Sequence, residues 1–439
     1  MALLLWALAC ELLALISGSL WPSLLSAGLY ALFFVAHWRS LLPYPRRLGL
    51  ATLALAGLWL LSPRPSLAVA GQLAAAFAYY ASFIAALGLT QCLVKRLPQL
   101  ANLHHLLLNG SAIWLYPRYL SCALLLGSLL SFGMLNLICG TLQQHLHNQP
   151  LSQEARDAGQ RGVLTSALRG FALVPLLAPT SVTMAIIGRE LPGLGWTTLL
   201  PFGIAAALLL SLIGWRAENN RLGALTGMLP AATSHALRGP IIGGLMGIAA
   251  ITLLASLSPL SPTQAAMLVL PTAVAGWLWH SLKQATAVHD ELASTLAGMR
   301  NEVFIFGCAA LLGGLAGQLL PLHGLAATLA VRPGLLHLIE AATLLGMIGL
   351  ALVGVAPIVT LSLLAALLAQ LAALGVPPLG PAVALVCGFA MAMLLSPFGP
   401  SALMLSRLSG VSPWHLAVGW NVRLVVISLP LLLLLPLLT

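Results

Sequence analysis

The sequence predicts an all-α protein that crosses a membrane many times. Hydrophobic residues make up 60% of the chain and charged residues 6%, and the mean hydropathy is +1.01. Soluble domains carry about 25% charged residues, so this composition excludes a soluble fold. The net charge of +10 comes from basic residues scattered between apolar runs. We therefore expect them to anchor loops at a membrane surface, with no nucleic-acid partner.

Apolar runs of spanning length, separated by charged or Pro/Gly-rich segments, divide the chain into about 11 transmembrane helices. The start of the chain lacks a basic region and contains Glu11, so we interpret it as a retained first span and not as a signal peptide. The predicted spans are 2–18, 20–37, 48–62, 66–93, 163–188, 194–215, 238–258, 263–281, 301–320, 380–407 and 414–438.

Two further regions do not fit as single spans. Residues 119–148 and 335–374 each consist of two apolar arms around a turn of small residues. The turns lie at 131–136 and 354–357. We expect both regions to be re-entrant hairpins that enter and leave on the same side of the membrane. Two ordinary spans remain the alternative for 335–374, which is long enough for them.

The distribution of basic residues indicates which side of the membrane each predicted loop faces. With the N-terminus in the cytoplasm and both hairpins counted as non-crossing, 15 of the 19 Lys and Arg residues fall at the cytoplasmic side. The positive-inside rule predicts this bias. The longest polar stretches, 141–162, 216–236 and 282–300, also fall in the cytoplasm, and the C-terminus falls outside.

One stretch of the sequence occurs twice, at an offset of 218 residues. Residues 170–196 and 388–414 align without a gap and are identical at eight of 27 positions. In both copies a proline and small polar residues interrupt an apolar helix, and paired segments of this kind point to a transporter binding site. The identical pairs are Gly170/Gly388, Phe171/Phe389, Ala172/Ala390, Leu176/Leu394, Leu177/Leu395, Pro179/Pro397, Arg189/Arg407 and Trp196/Trp414.

Five spans lie from the first copy up to the second, counting the span of the first copy itself, and an odd number makes the copies run in opposite directions. The sequence therefore predicts an inverted repeat with an axis in the membrane plane. We expect a leading helix at 1–18, a first repeat at 19–218 and a second repeat at 219–439. The first repeat contains hairpin 119–148 and broken helix 163–188. The second contains hairpin 335–374 and broken helix 380–407.

The breaks and the hairpin turns are the predicted binding site. A proline lacks an N–H and breaks its helix, and the freed backbone groups are tolerated in a membrane only in protein or beside a cavity. Helix N-termini attract anions, and unwound carbonyls with hydroxyls bind Na⁺. The candidate substrate- and ion-binding residues are Ser131, Gly133, Asn136, Pro179, Thr180, Ser181, Thr183, Gly354, Pro357, Thr360, Ser396, Pro397, Gly399 and Ser401.

Titratable groups and metal ligands are scarce in the apolar segments. Glu340, in the first arm of the second hairpin, is the candidate proton or cation coupling residue, and a structural acid paired with His337 is the alternative. The six cysteines lie singly and show no metal-binding spacing. We expect no metal, no catalytic residues and no cofactor, with Na⁺ as a possible coupling ion and H⁺ as the alternative.

The layout resembles the ion transporter superfamily, which includes divalent anion–sodium symporters, TRAP large membrane subunits and arsenite-pump-like proteins. The segments LAPTSVTMAIIG (177–188) and LSPFGPSALMLSRLSGVSP (395–413) are similar to the broken helices of TRAP and arsenite-type members. The Ser-Asn-Thr signature of the dicarboxylate symporters is absent from both hairpin turns. The resemblance implies an elevator mechanism, a homodimeric scaffold in contact with membrane lipids and a bacterial inner-membrane location.

We therefore expect a secondary active transporter for a small, anionic solute, and not an enzyme. Alternatives are an exporter of metalloid oxyanions or amphipathic compounds, and a membrane subunit that needs a binding protein. An intramembrane lipid-modifying enzyme is a further alternative, although its nearest polar cluster, 289–291, has no recognisable catalytic spacing.

Overall fold

The chain is helical throughout the part that the structure describes. The computed structural model describes residues 2–63, 65–96, 107–108, 112–131, 133–147, 152–223 and 238–439, and no strand occurs among them. The prediction of an all-α protein is confirmed for these residues. Phe132 of the first hairpin turn and residues 224–236 of the second polar stretch lie outside the described residues.

The helices of the two halves follow one another in the same general order: single helices, a helical hairpin, a broken helix and a long closing helix. The first half contains α1 (Ala2–Ser17), α2 (Leu20–Ala36), α3 (Pro43–Leu60), α4 (Leu67–Gly88), α5 (Gln91–Arg96), α6 (Leu115–Leu130), α7 (Gly133–His147), α8 (Gln153–Ala172), α9 (Val174–Leu177), α10 (Val182–Glu190) and α11 (Trp196–Gly223).

The second half contains one helix inside a predicted polar stretch, since 285–298 is helical. Its helices are α12 (Arg238–Leu257), α13 (Pro262–Leu282), α14 (Ala285–Gly298), α15 (Arg300–Leu319), α16 (His323–Val331), α17 (Leu335–Leu352), α18 (Pro357–Ala373), α19 (Leu379–Leu395), α20 (Pro400–Ser409) and α21 (Trp420–Leu434).

Eight helical segments of the described chain are long and apolar enough to cross a membrane. The chain is therefore a multi-pass integral membrane protein, as predicted, while the number of eleven spans stays a prediction. Helices α1 and α2 are apolar but have only 16 and 17 residues. The eight segments are Leu67–Leu93, Gln153–Glu190, Trp196–Trp215, Pro262–Leu282, Arg300–Leu319, Leu335–Leu352, Leu379–Ser409 and His415–Leu438.

Both predicted hairpins are pairs of helices joined by a tight turn. The first is α6–α7 and the second is α17–α18, and the two arms of each pack against one another. Their bounds, 115–147 and 335–373, agree with the predicted 119–148 and 335–374 to within a few residues. Helix α17 alone reaches spanning length. The re-entrant path of both hairpins stays a prediction.

The glycines that begin the sequence repeat lie at close helix crossings. A Cβ atom on Gly170 of α8 would lie 2.6 Å from the Leu120 carbonyl oxygen and from the Ala123 Cβ, both on α6. A Cβ atom on Gly388 of α19 would lie 3.1 Å from the Leu344 Cα on α17. Each broken helix thus lies directly against the first arm of its own hairpin because a glycine permits close contact.

The buried apolar residues form two clusters. One is built mainly on α1–α4, α13–α15 and α18. The other is built mainly on α6–α9, α11, α19 and α21. Helices α10, α17 and α19 contribute to both clusters, so the broken helices and the second hairpin lie where the two clusters meet.

Candidate functional site

The first helix break lies at Pro179. Helix α9 ends at Leu177 and α10 begins at Val182. Ala178, which precedes the proline, is extended at φ −86° and ψ 127°, the conformation that a following proline favours. The Ser181 hydroxyl then accepts a hydrogen bond from the Met184 N–H at 3.3 Å and caps the new helix.

The second break repeats this geometry at Pro397. Helix α19 ends at Leu395, and Ser396 is extended at φ −78° and ψ 107°. Helix α20 begins at Pro400, with Gly399 as its N-cap. Both breaks therefore begin at the residue before a proline, and in both the new helix begins four residues later (182 − 178 and 400 − 396).

Both hairpin turns contain a residue with positive φ. Ser131 ends α6 at φ +50°, and Gly354 lies in the second turn at φ +100°. Glycine adopts such values freely, whereas serine does so rarely. These residues reverse the chain sharply, so that the end of one helix and the start of the next lie side by side at each hairpin tip.

Each break is hydrogen-bonded to the hairpin of its own half. The Thr180 hydroxyl donates to the Ser128 carbonyl oxygen in the last turn of α6, at 2.9 Å. The Ser396 hydroxyl donates to the Ala351 carbonyl oxygen in the last turn of α17, at 3.3 Å. The last carbonyls of a helix have no partner inside the helix, and these hydroxyls supply one to each first arm.

Beyond the breaks, the chain packs against the hairpin of the other half. Helix α10 of the first half lies against α18, the second arm of the second hairpin. Helix α20 of the second half lies against α7, the second arm of the first hairpin. The two breaks and the two tips are therefore held together by contacts in both directions.

A cavity of about 60 Å³ lies where the breaks and the tips meet. A buried water needs about 10–15 Å³, so this volume has room for a few water molecules or an ion. It is lined by six of the predicted site residues: Ser131, Thr180, Ser181, Pro357, Gly399 and Ser401.

The other predicted site residues lie outside the lining. Asn136 is exposed on α7, because the helix turns it away from the tip. Ser396 is fully buried behind the cavity in its bond to Ala351. The remaining residues that do not line the cavity are Gly133, Pro179, Thr183, Gly354, Thr360 and Pro397.

Most of the cavity lining is apolar, which the sequence interpretation missed. Phe171 and Phe389 both line it, and these are the phenylalanines shared by the two repeat copies. Their identity in the repeat was the signal for a role at the site. Pro175 also lines the cavity and opens the short helix α9, so the first broken helix has a second interruption at Leu173. The remaining large apolar lining residues are Leu87, Val174, Phe306, Ile358 and Met393.

Helix N-termini surround the cavity. Helices α10, α18 and α20 have their first residues in its lining, at Val182, Pro357 and Pro400, and Ser131 lies two residues before α7. A helix N-terminus presents N–H groups without intrahelical partners and carries partial positive charge. No carboxylate lies among the described residues of the lining. This arrangement favours a negatively charged or electron-rich group in the cavity.

Two buried hydroxyls next to the cavity have no hydrogen-bond partner among the residues that the structure describes. They belong to Thr183 in the first turn of α10 and Thr360 in the first turn of α18, which are 0% and 1% exposed. Helices α10 and α18 pack against each other. Because buried polar atoms normally have partners, these two oxygens are candidate ligands for a bound ion.

The charged residues singled out in the sequence lie away from the cavity. Glu340 is 2% exposed in the second turn of α17, with His337 Nδ1 3.0 Å from its carboxylate. Twelve residues separate it from Leu352 at the hairpin tip, which is roughly 18 Å along a helix. The Arg189 guanidinium lies over the Tyr79 ring at 5.0 Å, and Arg407 is exposed.

The fold and the cavity place the chain in a class: a multi-pass membrane protein of transporter-like fold. Among solved structures it is similar to the YdaH transporter of Alcanivorax borkumensis, a crystal structure described as revealing an unusual topology. The TM-score is 0.52 and the sequence identity 17%, over 82% of this chain and 86% of that chain. No protein-family model and no curated protein matches the sequence. At this identity the likeness establishes the fold.

Proposed function

We propose that the chain is a secondary active transporter that moves a small, anionic solute across the membrane. The observation that carries this proposal is the cavity between the two hairpin tips and the two helix breaks. Helix N-termini and the hydroxyls of Thr180, Ser181 and Ser401 converge on it. Half-helix N-termini near the midplane are a recurring way to bind anionic groups in transporters.

An inverted-repeat elevator is the mechanism that we propose. The shared order of elements supports two repeats, at 19–218 and 219–439, after the leading helix 1–18. In this proposal the broken helices and hairpins form the moving body, and α1–α4 and α13–α15 form the scaffold, against which α18 of the second hairpin packs. In this proposal the scaffold forms a homodimer in the lipid bilayer.

The cavity must widen before an organic solute can bind in it. A volume of about 60 Å³ holds a few waters, whereas sites for small organic molecules are about 300–1,000 Å³. The tips are the segments that must move, since they are joined to the breaks by single hydrogen bonds such as Thr180 to Ser128. We infer that the structure is a closed state in which the hairpins cover the site.

Cation coupling is the second part of the proposal. The Thr183 and Thr360 hydroxyls offer two buried oxygens beside the cavity, and no carboxylate lies in the lining. A Na⁺ site can be built from hydroxyls and unwound carbonyls, whereas a proton site needs a titratable group. We therefore favour Na⁺ over H⁺, for which Glu340 is the alternative carrier.

One alternative substrate class has support of its own. The rings of Phe171, Phe306 and Phe389 line the cavity together with other apolar side chains. Such a lining suits a solute with an apolar body and a polar end. An exporter of amphipathic compounds is therefore the second candidate function.

Transport by purified protein in proteoliposomes tests the proposal. Flux of candidate anions should require a Na⁺ gradient or a pH gradient, and Thr180→Ala and Ser401→Ala should reduce it while the protein remains folded. Each substitution removes a hydroxyl from the cavity lining, and a charge-assisted hydrogen bond from such a hydroxyl to a bound anion is worth about 1–3 kcal/mol. Thr272→Ala is the matched control, because that hydroxyl bonds a carbonyl of its own helix on an exposed face. Unchanged flux and affinity in both cavity variants would place the site elsewhere.

A further inference from the structure

A second, larger cavity lies at the far end of α10, outside the central cavity. Its volume is about 400 Å³, which is within the range of about 300–1,000 Å³ that is usual for small-molecule sites. It lies between the last turn of α10, the middle of α4 and the connection from α12 to α13. The polar side chains of its lining belong to Tyr79, Arg189, Ser258, Ser261, Thr263 and Gln264.

The cavity opens beside a connection between two helices. Gly188 near the end of α10 and Pro259 are both exposed and both line it. Pro259 lies after the end of α12 and before the spanning segment Pro262–Leu282 begins. A water-soluble compound can therefore reach the cavity without passing through lipid. In the predicted topology this connection lies outside the cell.

Arg189 is the charged residue of this lining, and two aromatic rings hold it in place. Its guanidinium lies 5.0 Å from the centre of the Tyr79 ring and 5.8 Å from the centre of the Tyr80 ring. Both rings are fixed, because the Tyr80 hydroxyl donates to the Glu190 carboxylate at 3.2 Å and the Tyr79 hydroxyl lies 3.5 Å from the Thr263 hydroxyl. Among the described residues the guanidinium makes no hydrogen bond. A guanidinium stacked on aromatic rings keeps its N–H edge available for a planar anionic group.

Two nearby carboxylates limit the charge that a ligand can carry. Glu11 and Glu190 interact electrostatically with Arg189, but neither forms an ion pair with it among the described residues, and neither lines the cavity. The Ser23 hydroxyl donates to the Glu11 carboxylate at 2.7 Å, and Tyr80 donates to Glu190. Both carboxylates repel a dianion. A single carboxylate matches the one guanidinium, to which it can bind through two parallel hydrogen bonds.

Helix α10 is a wall of both cavities. Val182 at its start lines the central cavity, whereas Ala185, Gly188 and Arg189 line the second one. Val182 and Arg189 are seven residues apart, which is roughly 10 Å along a helix. The attraction of Arg189 for an anion is partly offset by Glu11 and Glu190, so a ligand binds here weakly and can leave again. Weak binding next to a second site suits a solute that has to move on.

We propose that this cavity is an outer binding site for a small, singly charged carboxylate. The Arg189 guanidinium binds the carboxylate, and the Gln264 side-chain NH₂ group and the Ser261 hydroxyl contact polar groups of the remaining molecule. The ligand is the transported solute before it reaches the central cavity, and in this respect the inference rests on the proposed function. The binding site itself does not depend on transport.

Labelling of the purified full-length protein with phenylglyoxal, which modifies accessible arginines, tests the site without any transport. The rate at Arg189 is measured by peptide mass spectrometry with acetate, lactate or benzoate, with succinate as the dianion, and with chloride at equal ionic strength. We expect at least one monocarboxylate to slow the labelling several-fold, and succinate to slow it less. Arg332 is the matched control, because it is an exposed arginine at the end of α16, and its labelling should not change.

No labelling of Arg189 in chloride, equal labelling with all three monocarboxylates, or stronger protection by succinate would overturn the proposal. In proteoliposomes, Arg189→Gln should raise the solute concentration needed for half-maximal flux several-fold, and Arg189→Lys should raise it less, since lysine keeps the charge without the fork. Protection of Arg189 in a protein that shows no flux would refute the transport function and leave the site standing. Flux without protection would refute the site and leave the transport function standing.

Discussion

The phenol oxygen of Tyr44 accepts a hydrogen bond from the backbone N–H of Ala356, with 2.9 Å between the two atoms. Tyr44 lies in the first turn of α3, and Ala356 is the N-cap of α18 at the tip of the second hairpin. The bond joins segments 312 residues apart and fixes a hairpin tip that lines the cavity. In the elevator that we propose, it links the scaffold to the moving body.

We expect Tyr44→Phe to change transport more than folding. The substitution leaves the Ala356 N–H without its acceptor, which costs about 1–3 kcal/mol if the group stays buried. The closed tip should therefore open more readily, and measured solute affinity should fall. Tyr30→Phe is the control, because the Tyr30 hydroxyl bonds Ser82 at 3.0 Å in a fully buried place outside the cavity lining. A loss of affinity in the control as large as in Tyr44→Phe would remove the role assigned to the bond.

The variants Thr183→Val and Thr360→Val test whether the two threonine hydroxyls bind an ion or only pack inside the protein. Replacing an unpaired buried hydroxyl with a methyl group of similar shape should leave thermal stability unchanged or raise it. If the hydroxyls bind Na⁺, the same variants should require several-fold more Na⁺ for half-maximal transport. The measurements are the unfolding temperature without Na⁺ and the Na⁺ dependence of flux. An unchanged Na⁺ dependence in both variants would exclude these oxygens as ligands.

Gly170→Ala and Gly388→Ala should each lower the stability of the protein, but by different amounts. The closer contact at Gly170 predicts a larger loss of stability than at Gly388, with overpacking costing about 1–3 kcal/mol. Gly349→Ala on α17 is the control, since a Cβ atom there meets nothing within 4 Å. This change should be neutral or stabilise the helix by up to about 1 kcal/mol. Thermal unfolding of the three variants in one detergent gives the ranking, and equal values for Gly170→Ala and Gly349→Ala would contradict the crossing geometry.

Glu340→Gln should leave cation-driven transport intact. Glutamine can keep a hydrogen bond to His337, and the carboxylate lies far from the cavity. Flux driven by a Na⁺ gradient and by a pH gradient should be compared in the variant and the unmodified protein. Full activity without Na⁺ that the substitution abolishes would instead make Glu340 the proton carrier.

The hairpins and breaks could be predicted because their causes are local in sequence. Pro179 and Pro397 lie next to small polar residues, and their helices end just before them. The turns around Ser131 and Gly354 also contain small residues. The apolar lining could not be predicted in the same way. Phe306 and Leu87 come from helices α15 and α4, where a residue facing the cavity and a residue facing another helix have the same apolar character.

A polar residue near a turn in the sequence does not always lie at the site. Asn136 follows the turn in sequence, but its position on α7 directs it outward. The sequence also did not predict a cavity lined by Arg161, Arg169 and Arg423, because these residues are far apart in the sequence. Only the packing of α8 and α11 against the end of the chain brings them together.

The crossed packing of α10 on α18 and of α20 on α7 has a consequence for biosynthesis. During translation the first half leaves the ribosome with α7 and α10 already in the membrane, but their partners lie more than 160 residues later in the chain, since α18 begins 167 residues after the end of α10 (357 − 190). These two helices lack their partners until residues up to 409 have been inserted, so the contacts that enclose the cavity form late, with α21 of the described helices still to follow. A nascent chain that stops after α11 has every first-half residue of the site and cannot close it.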